Sequence, residues 1–193
     1  LNLSFNQLSG DIPHTIGNLM NLEEVRLFQN ELTGSIPEEF GNLNDLIHLN
    51  LRNNNLNGFI PHTFGNLNSL EILYLHNNNL SGSIPLEIFG LTNLKRLFLN
   101  NNQLNGALTQ NIANLESIER FRIEKNNIYG IIPEEICNLS LQFENSLFFS
   151  LSENMFCEPY PYCIEGVQGV QDTSNCSDLE NLIDKTVNSF SNL

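Results

Sequence analysis

The chain has 193 residues, of which 32 are Leu and 33 are Asn, so two residue types supply about a third of it. Its 40% hydrophobic content excludes a disordered chain. Its 22 acidic against 8 basic residues, a net charge of −14, exclude a nucleic-acid binder, because a surface of that sign neutralises no phosphate.

Taken in order, the opening LNLSFNQLSG recurs as VRLFQNELTG, LNLRNNNLNG, LYLHNNNLSG, LFLNNNQLNG and FRIEKNNIYG. One Asn keeps its place in each block, at Asn6, Asn30, Asn54, Asn78, Asn102 and Asn126, with a constant step of 24 residues. A seventh block carries Asn154 after a step of 28. Each block opens with a predicted strand whose side chains alternate, so Leu27, Leu51, Leu75, Leu99, Ile123 and Leu151 turn inward and their neighbours outward. One such coil cannot bury its Leu face alone; stacked coils bury it in one another. The repeated Asn follows where the chain leaves the strand. Its amide has donors and an acceptor for backbone groups that lose their ladder partners, so it is structural. Gly10, Gly34, Gly58, Gly82, Gly106 and Gly130 mark a turn, and Pro13, Pro37, Pro61, Pro85 and Pro133 fix extended backbone on the outer side. Two coils depart from the pattern. The fourth reads IFGL, and the fifth has Leu108 and Thr109 in place of Ile-Pro, so a local change of outer contour is expected in both.

The unit L-x-L-x-x-N-x-L-x-G-x-I-P-x-x-I-G-N-L, seen in GDIPHTIGNL, GSIPEEFGNL, GFIPHTFGNL and GIIPEEICNL, resembles the plant-type leucine-rich repeat. The resemblance implies an α/β fold: a right-handed leucine-rich-repeat solenoid with a curved parallel sheet on the concave side and short 3₁₀ helices and turns on the convex side. It covers residues 1–156 in about seven repeats. Since the chain opens inside a repeat, at a strand, an N-terminal truncation is expected.

Residues 157–193 are expected to form a cap. Between Asn138 and Leu147 the repeat gains four residues, and all four cysteines, Cys137, Cys157, Cys163 and Cys176, cluster where the apolar stack must stop. An even number there points to two disulfides and an oxidising compartment. Three pairings are possible. Cys157–Cys163 with Cys137–Cys176 is the favoured one, because the short loop through Pro159 and Pro161 can close on itself. A metal site lacks its C-x-x-C spacing. The tail from Ser177 to Leu193 has a capping box in Ser177 and Glu180, with Leu179, Leu182, Ile183, Val187 and Phe190 on one helical face. Asn2, Asn79, Asn138 and Asn175 stand in N-x-S/T sequons, candidate glycosylation sites of a secreted or cell-surface protein.

No phosphate loop, zinc motif or nucleophile–base pair stands out, so no catalytic residue, metal or cofactor is expected. No apolar run approaches the ~20 residues that cross a bilayer, so no membrane segment is expected either. Function falls to the outward strand positions. Seven of the eight basic residues lie on that face or its edges, with Arg26, Arg52, Arg96, Arg120, Arg122 and Lys125 among them, beside Phe28, His48, Tyr74, His76 and Phe98. As many acidic residues share those segments, so the face is neutral and the −14 belongs to the remainder as a solvating coat. Aromatics beside Arg are the composition of interface hot spots. Seven strands span only ~29 Å, against the ~800 Å² a standard interface uses per partner. The expected function is a non-enzymatic module binding a protein or peptide partner. Similar plant-type repeats occur in receptor ectodomains and in inhibitors of wall-degrading enzymes. Two alternatives stand beside it. One is ice or glycan binding by the rows Asn53, Asn77, Asn101 and Asn55, Asn79. The other is a structural or assembly role through self-association.

Overall fold

The computed structural model describes residues 1–176; the predicted tail helix, with Ser177 and Glu180, lies outside the described residues. Six short strands, Glu24–Arg26, His48–Asn50, Ile72–Tyr74, Arg96–Phe98, Arg120–Arg122 and Phe149–Ser150, form one parallel sheet in chain order. The first coil joins it through backbone hydrogen bonds that pair Asn2 with Arg26 in parallel. Each strand is in register with the next, so equivalent residues of successive coils stand side by side. The predicted inward residues Leu51, Leu75, Leu99, Ile123 and Leu151 are fully buried, with Val25, Leu49, Leu73, Leu97 and Phe121 beside them. The core is one column running the length of the stack.

Five-residue 3₁₀ helices form the opposite wall, from His14–Asn18 to Glu134–Asn138. In five of the six a Pro stands just before the helix with φ between −58° and −68°. Its ring fixes the dihedral that launches the turn. In the fifth coil Thr109 takes this place with an extended backbone, φ −112°, and the helix Gln110–Asn114 still follows. The outer strands fall into three sheets, with breaks after Glu31–Thr33 and after Gln103–Asn105. Asn57–Phe59, Asn79–Ser83 and Gln103–Asn105 pair as one sheet, while Tyr129–Ile131 pairs onward with Met155–Cys157. The fourth coil also departs as expected. A Cβ at Gly65 would lie 2.5 Å from Glu87 Cβ, because the next coil packs directly on it. The equivalent residue one coil later is Phe89, which is buried. The 3₁₀ helices of coils four and five accordingly pack less closely than their neighbours.

The repeated Asn is a ladder rung. Asn78 Oδ1 accepts from the Leu56 N–H at 3.1 Å, and its Nδ2 donates to the Leu51 carbonyl at 3.1 Å and the Leu75 carbonyl at 3.0 Å. Asn54, Asn102, Asn126 and Asn154 repeat the arrangement. Each framework carbonyl thus receives two amides, one from its own coil and one from the next. Just before each of these Asn the backbone enters the left-handed region, at Phe5, Gln29, Asn53, Asn77, Asn101, Lys125 and Glu153, with φ from 53° to 58°. That conformation costs an ordinary L-residue about 1–2 kcal/mol, and Asn tolerates it best among residues with side chains. The row Asn53, Asn77, Asn101 therefore has a conformational cause.

The terminal coil is closed by a residue with no place in the repeat. Gln171 Oε1 accepts from the Phe156 N–H at 3.4 Å, and its Nε2 donates to the Leu151 carbonyl at 3.1 Å. These are the two groups a further Asn rung would satisfy. The cysteine pairing differs from the favoured expectation: the disulfides are Cys137–Cys163 and Cys157–Cys176. Cys157 ends a strand and is buried, so it is held on the stack. The segment through Pro159 and Pro161 carries Cys163 away from it, toward the exit of the last 3₁₀ helix where Cys137 stands. The fully buried Ile164 follows and anchors that crossing. The short loop through the prolines does not close on itself.

Candidate functional site

Three rows of side chains cover the concave sheet. The first is Glu24, His48, Ile72, Arg96 and Arg120; the second is Arg26, Asn50, Tyr74, Phe98, Arg122 and Ser150. The third, just past the strands, is Phe28, Arg52, His76, Asn100, Glu124 and Ser152. Backbone hydrogen bonds of 2.9–3.1 Å, such as Asn77 N–H to the Asn100 carbonyl, hold its coils side by side. Ten of the eleven residues singled out from the sequence share this surface. Lys125 stands apart: it occupies the left-handed turn, is exposed, and lies 3.5 Å from Glu153 at the edge of the sheet.

The aromatic residues are half-buried and form two groups, Phe28 with Arg52 and Tyr74 with Phe98, His48 and His76. Tyr74 and Phe98 stack at 4.8 Å between ring centroids, and His48 and His76 meet Tyr74 edge-on at 5.9 and 5.7 Å. The Arg122 guanidinium lies 5.5 Å from the Phe98 ring centre and that of Arg52 lies 4.6 Å from Phe28. Phe5 lies at one end of the face, 4.9 Å from Phe28, and Phe148 carries Arg120 at the other, at 4.5 Å. Phe5 and Phe148 fall in the outward rows of the sequence, Phe148 next to Arg120, but neither is among the candidate site residues; the structure shows each in contact with one of them.

Charge is unevenly compensated. Arg26 pairs with Glu24 at 3.0 Å, Lys95 with Glu71 at 2.8 Å, and Arg122 with Glu124. Among the described residues Arg52, Arg96 and Arg120 form no ion pair. Burial, and then the charges of Arg52 and Arg122, lowers the pKa of His76 to about 4. Burial and Arg26 also lower that of His48, against the pull of Glu24. Both imidazoles are therefore neutral at pH 7. Several buried polar atoms on the sheet have no partner: Nε of Arg26, Arg52, Arg120 and Arg122, His48 Nε2, His76 Nδ1, Asn100 Oδ1 and Glu124 Oε2. Asn100 and Glu124 are each only 5% exposed. Their importance is not visible in the sequence, because burial of a polar side chain is set by the neighbours on adjacent coils. Among the described residues no cluster of three or more His, Cys, Asp or Glu is placed to hold a metal ion, and no helix is long and apolar enough to cross a membrane.

Against known proteins, the leucine-rich repeat region family matches residues 1–151. No curated protein sequence matches the chain. Among solved structures, the Arabidopsis receptor kinase HAESA, in complex with the peptide hormone IDA and the co-receptor SERK1, superimposes with a TM-score of 0.82 at 33% identity. That likeness covers 91% of this chain and 30% of that one. The plant peptide hormone receptor RGFR1 in complex with RGF2 gives a TM-score of 0.74 at 32% identity, over 81% of this chain and 24% of that one. A plant ice-binding protein gives 0.52 at 25% identity, over 83% and 74%. The chain thus spans about a third or less of the length of the two receptors it resembles.

Proposed function

The chain belongs to the leucine-rich repeat proteins of the plant extracellular type, and from that premise we propose that it is a non-enzymatic recognition module whose concave sheet binds a peptide or protein partner. The observation that carries this reading is the aromatic surface of Phe28 and of the stacked Tyr74 and Phe98 on one sheet face, flanked by Arg52, Arg96 and Arg120, which have no ion-pair partner among the described residues. Rigid aromatic area beside cations binds a chain with little loss of side-chain freedom, and the cations favour one with acidic groups. The solved receptors similar to this chain are complexes with peptide hormones, which supports the same reading. The two disulfides and the likeness to receptor ectodomains support a place outside the cell, secreted or at its surface. The sequons at Asn2, Asn79, Asn138 and Asn175 are all exposed, as glycosylation requires.

The test is the triple substitution Phe28→Ala, Tyr74→Ala and Phe98→Ala. Capture of peptides from a displayed random library should fall at least tenfold, a loss of about 1.4 kcal/mol. Unchanged capture with an intact fold counts against the concave sheet.

The likeness to a plant ice-binding protein favours one second reading, ice binding through the polar rows. Against it, Asn77 already donates to Asn53 within the row. A recrystallisation-inhibition assay on Asn53→Asp with Asn77→Asp separates the two functions, since the aromatic surface is untouched.

A further inference from the structure

The convex side carries a groove of its own. In each coil the residue after the turn glycine leans toward the glycine of the next coil. A Cβ at Gly34 would lie 2.4 Å from Asp11 Oδ1, and one at Gly82 only 2.5 Å from Phe59 Cδ1. Asp11, Ser35, Phe59, Ser83 and Ala107 thus form a row along the stack. Phe59 is the one aromatic side chain in that row, and it is 70% exposed. Two cavities, of about 760 and 670 Å³, meet at it, since Phe59, Ile60 and His62 line both. Together they make one groove from Asp11 to Thr109, floored by the buried Ile36, Ile60 and Ile84. It crosses five coils, about 19 Å, which is the length of roughly six extended residues.

A single exposed Phe is ordinary on a protein surface. This one stands midway along an open groove whose fixed charge has one sign. Asp11, Glu38 and Glu39 line one half and Glu87 the other, with no Lys or Arg in either. None of these four carboxylates is in an ion pair among the described residues. Asp11 accepts from the Thr33 hydroxyl at 3.1 Å, which holds it in place. The face of an aromatic ring attracts a cation, and the carboxylates draw the same charge from further off. An anionic partner meets repulsion along the groove, and a neutral sugar gains from the ring alone. We propose that this groove binds an extended basic segment of a protein partner, with one of its Arg or Lys side chains over Phe59. It is a second interaction surface, on the wall opposite the concave sheet and independent of what that sheet binds.

The probe is fluorescently labelled hexaarginine, titrated against the full 193-residue chain and followed by anisotropy. Physiological ionic strength screens attraction between distant exposed charges. Phe59→Ser places there the residue that Ser35 and Ser83 supply in the neighbouring coils, so the fold is kept and the charge is unchanged. It should weaken binding about fivefold. Phe59→Leu keeps an apolar side chain without the ring and should weaken it as far. Glu38→Gln with Glu39→Gln removes two charges from the groove and should also weaken binding. Glu134→Gln with Glu135→Gln removes two from the same helix position of the sixth coil, outside the groove, and should leave binding nearly unchanged. Equal losses from the two glutamate pairs would reduce the attraction to overall charge and overturn the groove. Binding unaffected by Phe59→Ser, full binding by Phe59→Leu, or no binding of hexaarginine overturns it as well. Cellohexaose bound through Phe59 in place of hexaarginine would assign the ring to a sugar. The triple concave substitution should leave hexaarginine binding intact, so the two surfaces fail separately; loss of binding there would move the probe to the concave sheet and end the proposal.

Discussion

Removing one rung of the asparagine ladder tests how the coils are coupled. Asn78 is 8% exposed and makes three hydrogen bonds. In Asn78→Ala the Leu56 N–H loses the only acceptor it has, a buried orphan costing about 1–3 kcal/mol. The two carbonyls are protected, because Leu51 O keeps the Asn54 amide and Leu75 O keeps that of Asn102. Each loses one of two donors, worth roughly 0.5–1 kcal/mol. The expected cost is therefore about 3 kcal/mol. Adding Asn54→Ala strips Leu51 O of its second donor, so the double variant should be less stable than the two single losses together, by about 1 kcal/mol or more. Asn54 and Asn102 share no carbonyl, and that pair should be additive. Side-chain truncation is common to both pairs and cancels in the comparison. Urea denaturation of the six proteins measures both cycles. Additive losses for Asn54 with Asn78, or equal coupling in the two pairs, would show that the shared carbonyls do not link the coils.

Two further outcomes follow from the cap and from the concave sheet. Gln171→Ala leaves the Phe156 N–H without its side-chain acceptor and should cost about 1–3 kcal/mol, seen as faster amide exchange at Phe156 with little change at Leu56. Normal protection at Phe156 would remove Gln171 from its capping role. His76 has a folded pKa of about 4 against 6.5 unfolded, so the unfolded chain takes up its proton first as pH falls. The stability linked to it is whole above pH 6.5 and drains away as pH drops toward 4, by at most about 3 kcal/mol. His76→Phe should flatten that part of the stability curve measured by thermal melts. An unchanged slope would place the titration elsewhere.

Much of the fold and part of the candidate site were legible in the sequence. The step of 24 residues fixed the coil, the buried Leu column and the structural role of the repeated Asn, because each is a local demand met again in every repeat. The alternation of each strand also placed Arg26, Tyr74, Phe98 and Arg122 on one outward row. Where the period ended, local reasoning lost its hold. The cysteine pairing followed from how residues 158–164 cross the end of the stack, a path fixed by the burial of Ile164 rather than by loop length. Gln171 fills the place of an Asn rung although nothing in its spacing announces it. The pairing of Phe5 with Phe28 and the closed-in acceptors of Asn100 and Glu124 were likewise decided between coils. A repeat encodes what each coil does for itself. What lies exposed, paired or unsatisfied depends on the residue 24 places away, and only stacking brings the two together.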